Sequence, residues 1–480
     1  MDFSKIKDIY LLGIKGVGMS MLAQFLQAKG YHVFGSDIAD TFPTDKTLRY
    51  AKIKYKSGFS LDNFPKNIDL VIHSSAYTPE NNIEMAYFKE KKYKIMLYAE
   101  ALGHFFNQHF GVAVCGSHGK TTVSAWLGFV LEKGGLSPNV LTGSYIRQFK
   151  GSALISSSKK FIIEADEYQN KFKYFYPQGV LLNNINFDHP DFFKSEKQYF
   201  DVFVKFIKKI PHQGFLITNA EDQLSLLAAQ HNKGQNIFYS LAELKLDKKI
   251  KYQKFYQAQN LRMEKGKQVF DLYLSSSNLK SVKNLGTFKI FLPGRHNVLN
   301  SLAVIAGALE LGLSLEKTRQ ALPLFLGAAR RFDVLGEYRG ATIIDDYAHH
   351  PVEVQAALQA VKQKYPGRRI VSIFHPHTFS RTKALMDDFA KSFSLCDDLS
   401  LVEIYSSARE VVDKKISSLD LIKKIKQYNQ TSGRKQEIEY FASLDDVEKN
   451  FPKKIKVGDV VLLLGAGDIF RVAYKWLGVK

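Results

Sequence analysis

The densest group of residues suited to catalysis lies just past residue 110, where an apolar run gives way to glycines and hydroxyls. The residues that follow the run are Gly116, Ser117, His118, Gly119, Lys120, Thr121 and Thr122. Glycines let several backbone N–H groups point at one anion, and the start of a helix adds partial positive charge. A lysine here neutralises phosphate oxygens, and the hydroxyl after it can hold Mg²⁺. These residues (116–122, the phosphate turn) predict an ATP-type site between a strand and a helix.

The phosphate turn departs from the most common ATP-binding pattern. That pattern places a glycine five positions before Gly119, where this chain has Val114. A shorter turn with two glycines fits instead. An ordinary strand-to-helix turn that happens to hold a lysine is the alternative. The two threonines directly after Lys120 favour the phosphate site.

A second glycine turn lies near the N-terminus, between a predicted strand and a predicted helix. This N-terminal glycine turn (residues 13–18) contains Gly13, Gly16 and Gly18. Asp37 ends the next strand, and His73 and Ser74 end the one after it. Glycines near a diphosphate, with a carboxylate closing the second strand, are typical of dinucleotide-binding units. The glycine spacing differs from the usual fingerprint, so a plain βαβ turn is the alternative.

Acidic and histidine residues follow two further predicted strands. One strand runs into Glu164, Asp166 and Glu167, and the next leads into Asp188 and His189. Hard cations prefer oxygen ligands, so carboxylates facing a Lys-Thr turn suit Mg²⁺. Taken alone, the Asp-His pair could be a loop with a satisfied histidine. Because three polar strand ends belong to one predicted α/β unit, a shared site is favoured.

The last third of the chain repeats this pattern of strands that end in polar loops. Before it, His296 and Asn297 precede an alanine-rich helix, which indicates a ligand edge or, as the alternative, a capping role for Asn297. Past residue 327, four predicted strands end in polar or glycine-rich loops. The sequence therefore predicts an α/β protein of three domains, with boundaries at 1–108, 109–326 and 327–480.

Composition limits the classes of protein to consider. The chain has 480 residues and a net charge of +20, from 67 basic and 47 acidic residues, and two cysteines. Such charge attracts nucleic acid or small anions, but the lysines are scattered and no aromatic-basic motif accompanies them. No apolar run reaches the roughly 18–20 residues of a membrane span. We expect a cytoplasmic protein that binds neither membrane nor nucleic acid.

Motifs of covalent or zinc catalysis are missing from the sequence. It contains no Gly-x-Ser-x-Gly and no His-Glu-x-x-His. A triphosphate turn beside a second nucleotide turn fits an enzyme that consumes ATP to act on a nucleotide-linked substrate.

Seven segments together resemble the Mur ligase family, in family order, over most of the chain. They are residues 116–122, 164–167, 184–191, 294–297, 330–332, 345–351 and 376–382. The resemblance implies a Rossmann-like N-terminal domain that binds UDP, a central P-loop ATPase-like domain with a mostly parallel sheet, and a Rossmann-like C-terminal domain. It also implies ATP and Mg²⁺ as cofactors and a monomer or weak homodimer.

The implied reaction is ATP-dependent amide synthesis. The carboxylate of UDP-N-acetylmuramate takes the γ-phosphoryl group, and the amine of L-alanine attacks the acyl phosphate. This chemistry needs positioning and charge neutralisation more than a reactive side chain. The alternatives are a ligase that recycles a murein tripeptide and, in another class, a nucleotide-binding regulatory P-loop protein.

The resemblance assigns roles to individual residues. ATP would contact Gly116, Ser117, His118, Gly119, Lys120, Thr121, Thr122, His296, Asn297, Asn300, Arg331 and Asp346. The UDP moiety would contact Gly16, Gly18, Ser20, Asp37, His73 and Ser74. Thr121 and Glu164 would hold one Mg²⁺, and His189 would help to hold a second. His377 and Arg381 would face the amino acid, and the catalytic set would be Lys120, His189, His349 and Arg381.

Overall fold

Three α/β units follow one another along the chain. The structure is a computed structural model that describes residues 2–42, 44–65, 67–242, 251–276, 281–406, 410, 412–413 and 415–479. Each unit is built on one sheet whose strands are mostly parallel. The predicted three-unit α/β fold is confirmed, and the boundaries at 108/109 and 326/327 stay a prediction.

The first unit has five parallel strands in the order β3-β2-β1-β4-β5. Its strands are β1 (Asp8–Leu12), β2 (His32–Asp37), β3 (Lys56–Ser57), β4 (Leu70–His73) and β5 (Ile95–Leu97). Its helices are α1 (Val17–Ala28), α2 (Thr44–Tyr50), α3 (Ile83–Glu90) and α4 (Tyr98–Phe106), with 3-10 turns at Phe3–Lys5 and Leu61–Asn63. Strand β1 lies centrally and is almost fully buried. The N-terminal glycine turn follows its carboxyl end, which is the edge of a parallel sheet where ligands bind.

The second unit has ten strands in the order β15-β14-β13-β12-β11-β10-β6-β9-β7-β8. They are β6 (Phe110–Cys115), β7 (Asn139–Ile146), β8 (Gly151–Leu154), β9 (Lys160–Glu164), β10 (Gly179–Leu182), β11 (Phe215–Asn219), β12 (Gln235–Ser240), β13 (Lys254–Glu264), β14 (Lys267–Ser276) and β15 (Lys283–Ile290). The helices are α5 (Lys120–Lys133), α6 (Glu196–Ile207), α7 (Gln223–Ala229), α8 (Arg295–Glu310) and α9 (Leu315–Ala321), with 3-10 turns at Arg147–Phe149, Tyr168–Tyr174 and Leu322–Leu324. Strands β14, β15 and β8 are antiparallel to their neighbours, and the rest are parallel.

The third unit has six strands in the order β16-β17-β21-β18-β19-β20, and only β16 is antiparallel to its neighbour in this described sheet. The strands are β16 (Asp333–Tyr338), β17 (Ala341–Asp346), β18 (Ile370–Phe374), β19 (Asp398–Val402), β20 (Glu437–Phe441) and β21 (Val460–Leu464). The helices are α10 (Pro351–Lys364), α11 (Phe379–Ala384), α12 (Met386–Ser392), α13 (Ser418–Thr431), α14 (Leu444–Asn450) and α15 (Phe470–Trp476), with a 3-10 turn at Phe451–Lys453.

Apolar packing joins the first two units. One continuous core includes side chains of both, and the ring of Phe25 on α1 stacks on Phe161 of β9 with centroids 5.1 Å apart. Such contact fixes the N-terminal glycine turn relative to the central sheet. Among the described residues, a search for a helix with the length and apolar character of a membrane span finds none.

Candidate functional site

The phosphate turn connects β6 to α5 and is held against the end of β10. Gly116 and Gly119 have φ angles of 125° and 79°, values that favour glycine. A Cβ on Gly116 would lie 2.8 Å from the backbone oxygen of Asn184. The backbone N–H of His118 donates to the side-chain oxygen of Asn184 at 2.8 Å. The sequence therefore requires glycines here for backbone conformation and for close approach.

Lys120 curls back over the phosphate turn. Its Nζ donates to the carbonyl oxygens of Gly116 at 2.5 Å and Ser117 at 3.3 Å, and to Glu167 Oε2 at 3.2 Å. Burial by itself would lower the pKa of Lys120, but nearby carboxylates, Glu167 foremost, outweigh it and raise the pKa. The lysine therefore keeps its positive charge at the phosphate turn.

Asp166, Glu167 and His189 form a group of three potential metal ligands, which we call the cation cluster. One ligand atom from each lies within 4.8 Å of the others. Despite the opposing effect of burial, Lys171 and Lys120 lower the pKa of Asp166, so this carboxylate is ionised. Two carboxylates and an imidazole are a donor set that suits a divalent cation such as Mg²⁺. The cluster thus fits a divalent cation.

Thr121 and Glu164, both predicted as metal ligands, form a separate pair beside this cluster. The hydroxyl of Thr121 donates to Glu164 Oε1 at 3.1 Å, and the backbone N–H of Gly143 donates to Glu164 Oε2 at 2.6 Å. Burial raises the pKa of Glu164. Of the three predicted ligands, only His189 lies in the cation cluster. The sequence predicted that the acidic strand end as a whole suits Mg²⁺, but it named only Glu164, and neither Asp166 nor Glu167, as a ligand.

The third unit reaches the central unit through Arg381. Its guanidinium Nε and Nη2 both lie 2.9 Å from Asp188 Oδ1, next to His189. Arg381 is the strongest influence that lowers the pKa of Asp188, against the effect of burial. The rings of His349 and His377 lie 6.1 Å apart, and Arg381 donates to the backbone oxygen of His377 at 3.3 Å. His377 and Arg381, predicted to face the amino acid, and His349, predicted to be catalytic, therefore meet beside the Asp-His turn.

Glu353 on α10 is a residue that the sequence did not single out. Its Oε1 lies 3.2 Å from His118 Nδ1 and 3.4 Å from Arg331 Nη1. Its Oε2 accepts from the backbone N–H of His349 at 3.1 Å and lies 3.1 Å from the ring Nδ1. Burial opposes ionisation, but His349, His118 and Arg331 together lower the pKa of Glu353. One largely covered carboxylate, 10% exposed, thus joins the phosphate turn to two loops of the third unit.

The residues predicted around the adenine lie at the start of α8. Asn297 donates to the oxygen of Pro293 at 2.6 Å and accepts from Asn300 at 3.1 Å. The N-cap of α8 is Gly294, not Asn297. The side-chain oxygen of Asn300 would lie 2.9 Å from a Cβ on Gly119, so α8 borders the phosphate turn.

Two of the predicted ATP ligands have distinctive electrostatics, and a third lies within a helix. Burial and then Arg331 lower the pKa of His296 to about 4, so the ring is neutral at pH 7. Burial raises the pKa of Asp346 to about 6, although its oxygens accept from two backbone N–H groups of its own unit, at 2.7 and 2.8 Å. Thr122 is buried within α5.

The N-terminal glycine turn is enclosed by tyrosines. A Cβ on Gly13 would lie 2.6 Å from the ring of Tyr77, and a Cβ on Gly18 would lie 2.8 Å from the ring of Tyr98. Burial raises the pKa of Tyr98, and the charges of Asp166 and Glu164 raise it further. Tyr98 therefore lies against this turn and within electrostatic reach of the acidic side chains of the central unit.

The other predicted UDP contacts differ in what they already bind. Asp37 accepts from the backbone N–H of Lys15 at 2.7 Å and from Tyr77 at 3.0 Å. Ser20 donates to the oxygen of Val17 in its own helix at 3.0 Å. Gly16, the N-cap of α1, and the partly exposed pair His73 and Ser74 line the end of the sheet. Lys15 was not predicted, and it is 2% exposed and donates to two carbonyl oxygens of the loop after Asp37.

Comparisons with known families cover nearly the whole chain. Residues 8–110 match the Mur ligase family catalytic domain, residues 114–308 the Mur ligase middle domain, and residues 330–467 the Mur ligase glutamate ligase domain. The three matched regions follow the three sheets of the structure.

Curated relatives and solved structures agree with these matches. The chain is 36% identical to a UDP-N-acetylmuramate–L-alanine ligase from Alkaliphilus metalliredigens, over 100% of this chain and 99% of the relative. It is also 36% identical to one from Desulfitobacterium hafniense, over 97% and 98%. The crystal structure of a UDP-N-acetylmuramate–alanine ligase from Thermotoga maritima is similar with a TM-score of 0.77, 26% identity and 98% of both chains covered. A murein peptide ligase from Psychrobacter arcticus has a TM-score of 0.72, 24% identity and the same coverage, which shows a shared fold.

Proposed function

This chain belongs to the Mur ligase family, and on that premise we propose that it joins L-alanine to the carboxylate of UDP-N-acetylmuramate while ATP becomes ADP and phosphate. Full-length relatives with that activity in their names support this proposal over the tripeptide-recycling alternative. The reaction belongs to the cytoplasmic stage of peptidoglycan precursor synthesis. A monomer or weak homodimer would suffice, because each unit of one chain supplies part of the site.

The observation that carries the proposal is that side chains of the central and third units meet at the phosphate turn, with Tyr98 of the first unit within electrostatic reach of them. His118 of the phosphate turn contacts Glu353 of the third unit, and Asp188 of the central unit contacts Arg381. Tyr98 of the first unit lies against the glycine turn of its own unit, and the charge of Asp166 helps to raise its pKa. A sugar carboxylate and a γ-phosphate held by different units would therefore meet at one place.

The phosphate turn would hold the triphosphate. Backbone N–H groups of residues 116–122 and the N-terminus of α5 would contact the phosphate oxygens, and Lys120 would neutralise the β- and γ-phosphates. Mg²⁺ at the cation cluster, with Thr121 and Glu164 beside a second ion, would add positive charge to the same oxygens. His296, Asn297, Asn300, Arg331 and Asp346 would line the rest of the nucleotide.

The chemistry itself consists of two displacements. A carboxylate oxygen of the sugar attacks the γ-phosphorus, and the bond to ADP breaks. The amine of alanine then attacks the acyl carbon, and phosphate leaves as the amine loses a proton. His349, His377 and Arg381 would orient the incoming amino acid and the phosphate. Burial, with His349 and Arg381, lowers the pKa of His377 to about 2, so it would serve as a neutral hydrogen-bond acceptor.

The first unit would hold the part of the substrate that does not react. Gly16, Gly18, His73 and Ser74 border the end of its sheet, and Asp37 shapes the loop beside them. Ser20 belongs to the UDP set that the family resemblance predicts, but it is fully buried and its hydroxyl donates to Val17 within α1. Binding of this non-reacting part of the substrate would position the sugar carboxylate for the reaction.

Phosphate release with each substrate omitted in turn tests the proposal. We expect release to need UDP-N-acetylmuramate, ATP, Mg²⁺ and L-alanine together. The amide product, UDP-N-acetylmuramoyl-L-alanine, should appear by mass spectrometry in an amount equal to the phosphate released. If L-Ala-γ-D-Glu-meso-diaminopimelate supports release and L-alanine does not, the tripeptide alternative replaces the proposal.

A further inference from the structure

Helix α6 places a buried hydroxyl between the phosphate turn and the cation cluster. Tyr199 is 1% exposed, and its hydroxyl donates to Glu167 Oε1 at 2.9 Å. The same hydroxyl lies 2.8 Å from Ser117 Oγ in the phosphate turn. We propose that Tyr199 is a positioning residue that orients Glu167 for the cation and links that orientation to the phosphate turn. The inference rests on the proposed function.

The hydrogen bonds around Tyr199 can be counted. Ser117 Oγ also lies 2.6 Å from the backbone oxygen of Asn186, which can only accept. Ser117 and Tyr199 together have two hydroxyl hydrogens, one each. Three contacts each need a hydrogen: Ser117 to Asn186, Tyr199 to Glu167, and Ser117 to Tyr199. While Tyr199 donates to Glu167, Ser117 can donate to Tyr199 only by releasing the oxygen of Asn186. The rotation of one hydroxyl in the phosphate turn is thus tied to the bond on Glu167.

Lys120 explains why Glu167 needs this support. Glu167 Oε2 now contacts Lys120, and its Oε1 lies 3.9 Å from His189 Nε2. When Lys120 turns to a triphosphate, Glu167 loses that partner. Tyr199 is held in place by packing, with its ring 5.1 Å from Phe193 and 5.2 Å from Phe203. Its hydroxyl would then keep Glu167 directed at the cation, as a supporting hydrogen bond does for a metal ligand.

Tyr199→Phe removes the hydroxyl and keeps the ring, so it separates positioning from packing. Mn²⁺ binding to the full chain can be measured by electron paramagnetic resonance, which requires no turnover. We expect about tenfold weaker Mn²⁺ binding, because a hydrogen bond to a charged group is lost. The apparent Mg²⁺ requirement for phosphate release should rise by a similar factor, and the KM for UDP-N-acetylmuramate should change less than about twofold.

Tyr10→Phe is the matched control. Tyr10 is 1% exposed and its hydroxyl donates to a buried carboxylate, Glu84, at 3.1 Å in the first unit. This variant loses an equivalent bond far along the chain from the cation cluster, and its Mn²⁺ affinity should equal that of the wild type. In a Glu167→Gln background, Tyr199→Phe should weaken Mn²⁺ binding by less than about twofold, because its effect passes through the carboxylate.

Unchanged Mn²⁺ affinity in Tyr199→Phe would overturn the inference, as would an equal loss in Tyr10→Phe. A full tenfold loss that persists in the Glu167→Gln background would do the same. The proposed function fails on a different result: a wild-type protein that binds Mn²⁺ but forms no product from L-alanine.

Discussion

The two glycine turns of this chain share a local plan and differ in their surroundings. Each follows a buried strand and begins a helix, β6 to α5 in one and β1 to α1 in the other. Both include glycine at positive φ, Gly119 and Gly13. Either backbone could accept a phosphate group. The turn itself therefore does not decide which one takes part in the reaction.

Charged partners from other parts of the chain make the difference. At the phosphate turn, Lys120 is paired with Glu167, and His118 contacts Glu353 of the third unit. At the N-terminal glycine turn, the tyrosine rings and Asp37 come from the same unit as the turn. Preorganised charge stabilises a transition state, whereas an enclosed turn only holds a ligand. We therefore attribute reactivity to the meeting of the central and third units at the phosphate turn.

Lys120→Ala should give the largest effect of the changes that test this comparison. Without the ammonium group, phosphate release should fall by about 10³-fold or more, because the negative charge on the transferred group loses its main protein partner. Binding of UDP-N-acetylmuramate, measured by calorimetry, should stay within about twofold, because we assign its binding to the other turn.

Lys133→Ala provides the control, since Lys133 is the exposed last residue of the same helix. Its activity should match the wild type. A Lys120→Ala protein that no longer binds the UDP-sugar would contradict the division between the two turns.

Glu353→Gln should come next in size. It keeps the shape of the side chain but removes the charge that attracts His118, His349 and Arg331. Hydrogen bonds to charged groups contribute about 1.5–3 kcal/mol, so kcat should fall roughly 10- to 100-fold. Steady-state kinetics would show little change in the KM for the UDP-sugar.

A buried glutamate of the first unit offers the comparison. Glu84 accepts from Tyr10 and from the backbone N–H of Ser60 at 3.0 Å. Glu84→Gln should lower the melting temperature and leave kcat near the wild-type value. Equal losses of kcat in both variants would mean that Glu353 acts through stability alone.

The sequence predicted that polar side chains follow the strands. It did not indicate which of these side chains meet at one ligand. Glu164 ends β9 and pairs with Thr121, whereas Asp166 and Glu167 lie in the following loop, where the strand alternation no longer specifies direction. The phosphate turn was predictable because its residue types are required locally. Likewise, an unbroken apolar run predicted the central strand β6.

Contacts between units lay beyond what the sequence could indicate. Glu353 has ordinary surroundings on α10, and its role follows only from the packing of the third unit on the central one. From the sequence alone, Tyr199 looks like an ordinary buried aromatic residue on the apolar face of an amphipathic helix. The antiparallel strands β14 and β15 likewise extend the central sheet from a region whose sequence carried no chemical motif.

Gly16→Ala is expected to have a moderate effect confined to the N-terminal glycine turn. A Cβ here would have Gly13 oxygen as its nearest neighbour, at an ordinary 3.4 Å, and the φ of −56° suits alanine. The protein should therefore fold normally. An added methyl group facing a diphosphate should raise the KM for UDP-N-acetylmuramate about tenfold, with the KM for ATP unchanged. An unaltered KM in a folded Gly16→Ala protein would place the diphosphate elsewhere.

The smallest effect concerns the histidine beside each turn and depends on pH. The pKa of His296 in the folded protein is about 4, against 6.5 ordinarily, because burial and Arg331 disfavour its charge. The unfolded chain therefore binds a proton that the folded chain does not, and stability falls as pH drops from 6.5 towards 4. The stability lost between pH 7.5 and pH 5.5 should therefore be smaller by about 1 kcal/mol in His296→Gln than in the wild type.

Urea unfolding at the two pH values would measure this difference. Burial also lowers the pKa of His73, next to the other turn, so His73→Gln should change the pH dependence in the same direction. Arg331 is an extra cationic neighbour for His296 that belongs to the third unit, whereas the charge that acts on His73, that of Glu100, favours protonation. The His296 variant should therefore flatten the pH profile more. If the two variants flatten it equally, the charge brought by the third unit does not distinguish the turns, and burial alone accounts for both histidines.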